Sequence, residues 1–491
     1  MDFNYVLNSI LDFLSSQEKG WTVCSVPFMA IFVVFFVGYI IISNKTPILY
    51  KIYVLLFSLF FAFKANGALF VILIFTTILS WLLTPKITIL RRGKIRKIGL
   101  SIIILIELIP LLYFKYTNFS IELLNQIFIT NLHPLNIILP IGISFYTFQA
   151  ISYTVDTYKG YFKKPIQLLD YIFYLTFFPL LIAGPIVRAK DFLPQIQKPK
   201  FNNYLLLNKG VWLISIGIIK KAIIANYLAQ YNDWIFTSPM NYSGFETLLA
   251  VFGYALQIYC DFSGYSDIAI GLSALMGFKL KQNFNFPYKS LNLTEFWHRW
   301  HISLSSWFKD YVYIPLGGNR KAIYRIGINI FITMIVAGLW HGASNMFLIW
   351  GLLHGIGLII HKLLLQKIPN LFSNYLWFKI LSWGITFLYV SFAWIFFRSP
   401  NISTVFSIID NIIYNFSISD FYPFLMTRPL YLILLVICLE LLAVREEDYK
   451  WIENKFINAN WIFKLLLFIV IIQAAINFSQ NNIQPFIYSQ F

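Results

Sequence analysis

The sequence predicts an all-α polytopic membrane protein, and three observations predict it. Hydrophobic residues make up 58% of the 491 positions, charged residues only 12%, and apolar runs near twenty residues long recur from end to end. A soluble chain carries about 25% charged residues, and mean hydropathy here is +0.69. Lipid offers the backbone no hydrogen-bond partner, so only helices and closed barrels span a membrane. Runs of this length without strict alternation select helices.

The net charge of +17 invites a nucleic-acid reading. Lys and Arg collect between the apolar runs, however, where cytoplasmic loops hold them, so no nucleic-acid partner is expected. Cys24, Cys260 and Cys438 lie far apart, in or beside apolar segments, with no CxxC or zinc spacing. Met1 to Lys19 reads as a short amphipathic lead-in and not as a signal peptide, because Asp2 and Asp12 stand where a basic region belongs.

Taken in order, the first span is Thr22 to Ser43. Ile48 to Leu83 is too long for one crossing and breaks at Lys64-Ala65-Asn66-Gly67. Lys86, Arg91, Arg92, Lys94, Arg96 and Lys97 then follow with no acid among them, marking a cytoplasmic loop. Three crossings back from it, the N-terminus lies outside. A span from Ile98 to about Tyr116 leads to a connector ending at Pro140. Pro140 to Tyr158 is less apolar, with Gln149 and Asp156 along it, and suits a helix facing a protein interior or wet cavity. Further spans are predicted at Leu168 to Val187, Val211 to Leu228 and Phe245 to Phe278. The last carries Asp261 and Asp267 in YCDFSGYSD, which pack helices or serve chemistry.

Lys279 to Arg325 interrupts the rhythm. Within it Leu293 to Tyr313 reads as one helix, with Trp297, Trp300, Leu304 and Trp307 on one arc and His298, His301 and Ser305 on the next. That helix is expected in the interface, its tryptophans at headgroup level. Asn329 to Gly355 holds two apolar runs around the polar knot Trp340-His341-Gly342-Ala343-Ser344-Asn345. Gly338 and Gly342 are small enough to let helices approach closely there. Spans near Phe378 to Phe397, Leu430 to Val444 and Trp461 to Asn477 complete the chain, with the charged connector Arg445 to Lys455 between the last two. The sum is roughly a dozen membrane segments in a single integral-membrane domain, 1–491, with no repeat and no appended soluble domain.

An ionisable side chain at membrane depth faces a cavity or the protein interior, which makes His341 a candidate. The alternative is a turn between helices, with His341 at the headgroups or bonded to a carbonyl. Glu295, His298 and His301 stand at i, i+3 and i+6, but this is not HExxH and no further ligand is evident, so no metal is expected. No GxSxG, Walker loop or dinucleotide fingerprint occurs. A neutral imidazole takes a proton from an alcohol attacking an activated acyl group, with no protein nucleophile required. Two histidines thus fit direct acyl transfer. An exporter lined by Asp261, Asp267 and the histidines is the reading from another class.

Six stretches carry a resemblance: LPIGISFYTFQAISYTVDTYKG (139–160), FFPLLIAGPIVR (177–188), YCDFSGYSDIAIG (259–271), EFWHRWHISLSSWFKDYVYIPLGGNR (295–320), GLWHGASNMFLIWGLLHG (338–355) and FAWIFFR (392–398). In them the chain resembles the membrane-bound O-acyltransferases, above all the bacterial branch that O-acetylates alginate and other cell-envelope polysaccharides. The motif-bearing core covers about 139–398. The resemblance implies a ring of membrane helices around a thinned centre with a through-going tunnel. His341 would be the catalytic histidine and His301 the second histidine near the tunnel, while His298 stands where relatives often carry Arg. Trp340, Asn345, Asp267 and Gln149 are tunnel or substrate candidates. No bound cofactor is implied; acetyl-CoA or another cytosolic acyl thioester is the donor, and a polysaccharide the acceptor. An extracytoplasmic acyltransferase or assembly protein is the implied partner, and the bacterial cytoplasmic membrane the location. D-alanylation of teichoic acid is the rival acyl transfer.

Overall fold

The computed structural model describes residues 22–24, 26–43, 45–91, 93–162, 164–197, 203–320, 322–363 and 375–478. Every regular element among them is helical. The expected lead-in Met1 to Lys19 lies outside the described residues. Among the described residues, seven stretches are long and apolar enough to cross a membrane, or eight if the bent pair Ile418–Thr427 and Pro429–Ile437 counts as one span. This is fewer than the dozen segments the sequence predicts. Pro47–Ile89, predicted as two spans, counts as one stretch, and Leu168 to Val187, predicted as one span, contains the two short buried helices Leu168–Thr176 and Phe178–Leu181. Pro179, at the second position of the latter, has no N–H to continue a helix.

The chain divides into two compact units. The first comprises Met1–Ser215 with Tyr265–Lys281. Its apolar centre is the ring of Phe178, met by Phe28, Phe35, Phe57 and Phe61 at centroid distances of 4.9 to 6.1 Å. The predicted break after Lys64 is present: helix Pro47–Asn66 ends at Gly67, whose φ of +56° only glycine adopts without strain. Helix Phe70–Leu83 resumes after a 3₁₀ turn. Ile143–Tyr158 is buried along most of its length, as its polar composition predicts. Its Thr154 donates to Glu107 (2.7 Å), which Ser80 also holds, and Lys51 pairs with Asp170 (2.6 Å). Buried charges need such partners.

The second unit comprises Ile216–Gly264 and Gln282–Phe491. Helices Ile323–His341, Asn345–Leu363 and Leu376–Arg398 pack around the fully buried Trp300, Trp350 and Trp394. The first two approach closely because of glycine. A Cβ on Gly338 would stand 2.3 Å from the Phe347 carbonyl oxygen, and one on Gly351 2.5 Å from that of Met334. The charged connector after Ala443 is itself a helix, Glu446–Asn458, and Arg299 binds its first residue at 2.8 Å. Its acidic first turn suits the positive end of a helix dipole, a signal that outweighs the polarity that suggests a loop. The closing helix Trp461–Phe478 presents Leu465, Leu466, Ile469 and Val470 outward, an apolar face that suits lipid.

Candidate functional site

The predicted helix Leu293 to Tyr313 is broken in the middle. Leu293–Arg299 starts on Asn292, whose side chain accepts from the Glu295 N–H at 2.9 Å, and stops at Trp300. Ile302–Phe308 then starts afresh. Between them His301 has φ +41° and ψ +56°, the left-handed region, where a non-glycine residue costs about 1–3 kcal/mol. The break overturns the predicted wheel. Trp297, Trp300 and Trp307 are buried, not set out at headgroup level, and His298 is exposed while His301 is fully buried.

Asn283 holds the left-handed turn in place. Its backbone carbonyl accepts from Ile302 N–H (2.8 Å), and its Oδ1 accepts from Ser303 N–H (3.1 Å) and Ser303 Oγ (2.8 Å). The same Oδ1 lies 3.2 Å from His301 Nδ1. Because this oxygen can only accept, Nδ1 carries the proton, and the neutral ring keeps its lone pair on Nε2. That nitrogen meets no hydrogen-bond partner among the described residues. Burial pushes the imidazole from 6.5 down to about 3, so it is neutral at physiological pH.

His341 ends the Ile323–His341 helix, and Gly342 leaves it in an extended conformation. The imidazole is buried in an aromatic cage: Trp340 at 5.0 Å, Trp350 at 4.9 Å and Phe397 at 5.3 Å between ring centroids. The Trp340 ring also stands 6.0 Å from that of His301. Trp340 therefore links the two predicted histidines, one at the end of Ile323–His341 and one in the turn between Leu293–Arg299 and Ile302–Phe308. Gly342 faces the Phe347 ring, which a Cβ would meet at 2.0 Å.

The remaining candidates divide. Asn345 is exposed at the start of Asn345–Leu363. Gln149 is buried on Ile143–Tyr158 and, with Asp267, belongs to the first unit. Asp261 is an ion pair with Lys221, the packing role open to it from sequence. Glu295 is bound to Arg299 (2.9 Å) and the Leu291 N–H (3.0 Å), outside any cluster with His301. Sequence reasoning missed Asn283, for which no motif gives a signal. It also missed His354, present in GLLHG but hidden by its neighbours' resemblance to lipid-facing leucines.

The fold is that of an integral-membrane protein with two buried histidines, His301 and His341, whose rings both meet the ring of Trp340. The chain belongs to the membrane-bound O-acyltransferase family, whose sequence profile matches residues 14–402. It is 36% identical over 406 residues to the peptidoglycan O-acetyltransferase of Helicobacter pylori, covering 77% of each protein. To a probable alginate O-acetylase AlgI of Pseudomonas aeruginosa it is 42% identical over 304 residues, 61% of this chain and 57% of that relative. The teichoic acid D-alanyltransferase of Bacillus subtilis is 33% identical over 278 residues, 54% of this chain and 70% of that protein. The protein is thus a multi-pass membrane acyltransferase.

Proposed function

We propose that the protein transfers acetyl groups from a cytosolic thioester donor, acetyl-CoA or an equivalent, for O-acetylation of an exported cell-envelope polysaccharide such as alginate or peptidoglycan. The observation that carries this reading is the pair of buried histidines, His341 and His301, both against the Trp340 ring. Family membership and the match along 77% of the peptidoglycan-modifying relative support it.

His341 removes the proton of the acceptor hydroxyl as its oxygen attacks the thioester carbonyl. The tetrahedral intermediate collapses with loss of thiolate, which takes the proton from the imidazolium. One C–S bond breaks, one C–O bond forms, and the products are an ester and a free thiol. His301 stays neutral throughout. Its Nε2 lone pair accepts a hydrogen bond and cannot donate one, so it orients the N–H of His341 and not the acyl oxygen. The reaction takes place in a tunnel through a thinned ring of helices in the bacterial cytoplasmic membrane. A separate extracytoplasmic acyltransferase or assembly protein completes delivery to the polymer.

His341→Ala tests the assignment. Ester-linked acetate on the envelope polymer is expected to vanish at unchanged protein level, measured by alkaline release and mass analysis. Normal acetate in that strain would refute the catalytic role. Ester-linked D-alanine in place of acetate in the parent strain would transfer the reading to teichoic acid.

A further inference from the structure

One buried titratable side chain in the second unit has no part in this chemistry. His354 is fully buried on Asn345–Leu363, and neither of its ring nitrogens meets a hydrogen-bond partner among the described residues. Its neighbours are aromatic: Trp350 at 4.8 Å, Trp297 at 5.1 Å, Phe296 at 6.2 Å and nearly parallel, and Trp394 at 6.3 Å. An imidazole is a poor filler for such a site. Leaving a buried polar group without a partner costs about 1–3 kcal/mol, which an apolar side chain of similar size would avoid. Packing alone does not account for the residue.

Trp350 supplies the connection. Its ring stands 4.9 Å from that of His341, at an interplanar angle of 81°, and 4.8 Å from that of His354, at 64°. Edge-to-face geometry aims the positive edge of one ring at the negative face of the next, and an N–H aimed at an aromatic face is a weak hydrogen bond. His341, Trp350 and His354 therefore form one column. Trp350 and His354 are four residues apart on one helix, where side chains stack on the same face. We propose that His354 is a positioning residue for acyl transfer: its polar edge sets the orientation of Trp350, and Trp350 in turn sets the ring of His341. The inference rests on the role proposed above for His341.

The test uses the full-length protein in lipid nanodiscs, with acetyl-CoA as donor and an oligosaccharide of the envelope polymer as acceptor. His354→Phe keeps an aromatic ring without the N–H; His354→Asn and His354→Gln keep an N–H without the ring. The Phe variant is expected to fold with an unchanged melting temperature, to lose at least tenfold in kcat, and to keep KM for the donor within twofold. Asn or Gln should restore kcat several-fold over Phe, which a purely structural role would not produce. A Phe variant at or above the better amide variant, or three variants within threefold of the parent, would overturn the proposal. If the Phe variant fails to fold, His354→Met takes its place as the apolar comparison. His341→Ala is run beside them: if it keeps transfer, the proposed chemistry fails; if it is dead while the Phe variant is active, only the positioning role fails.

Discussion

At His301 the tautomer and the backbone conformation have a common origin in Asn283, and burial keeps the ring neutral. The amide oxygen accepts from Nδ1–H and from both Ser303 donors, and the backbone carbonyl accepts from Ile302 N–H. Removing it with Asn283→Ala leaves a buried imidazole N–H and a strained turn unsupported. We expect about 1–3 kcal/mol of lost stability and a reduced transfer rate, checked by melting temperature and turnover on the same preparation. A stable, fully active Asn283→Ala protein would show that the turn holds itself. The pKa adds a pH dependence with a definite sign. Folded His301 binds its proton only near pH 3, whereas an unfolded histidine does so near 6.5. Between these values the unfolded state holds more protons, so this residue's contribution is complete above about pH 6.5 and is lost as pH falls towards 3. The melting temperature of the parent should therefore drop more between pH 7.5 and 5 than that of His301→Asn. The histidine itself is legible in RWHISLS, but its partner stands 18 residues away in a segment without a motif.

At the scale of elements, the crossing of Ile323–His341 with Asn345–Leu363 decides where His341 points. Gly338 and Gly351 sit where any Cβ would strike the opposite helix backbone. Gly338→Ala should force the helices apart, at about 1–3 kcal/mol of overpacking, and should depress transfer because His341 is three residues further on. Gly384→Ala is the control: its Cβ would meet nothing within 4 Å, and alanine is the better helix former. Equal melting temperatures and activities for the two variants would refute the close-packing argument. Small residues beside a polar knot are readable from sequence, and Gly338 bears the expectation out. The single helix expected over Leu293 to Tyr313 does not. Its apolar spacing is helical on both sides of Trp300, and periodicity carries no information about a residue forced left-handed by a distant acceptor.

For the whole molecule, charge and hydropathy determine which way round the chain lies in lipid. The loop with Lys86, Arg91, Arg92, Lys94, Arg96 and Lys97 is expected on the cytoplasmic side. With Cys24, Cys260 and Cys438 replaced by serine, a cysteine at position 91, Arg91→Cys, should react with a membrane-impermeant maleimide only in inverted vesicles; labelling in intact spheroplasts would reverse the orientation. Residue order is enough to read a helical, multi-pass membrane acyltransferase with His341 and His301 as its candidate histidines. Burial in lipid depends on composition over about twenty neighbouring residues, and the motifs are contiguous, so both are local properties. Only in the folded chain do Trp297, Trp300 and Trp307 become buried, does Asn283 select the tautomer of His301, and does His354 join His341 through Trp350. Each of these depends on side chains from different helices or loops meeting in space, which no local pattern encodes. His341, an ionisable residue in a polar knot of the sequence, is in the folded protein one ring of an aromatic column.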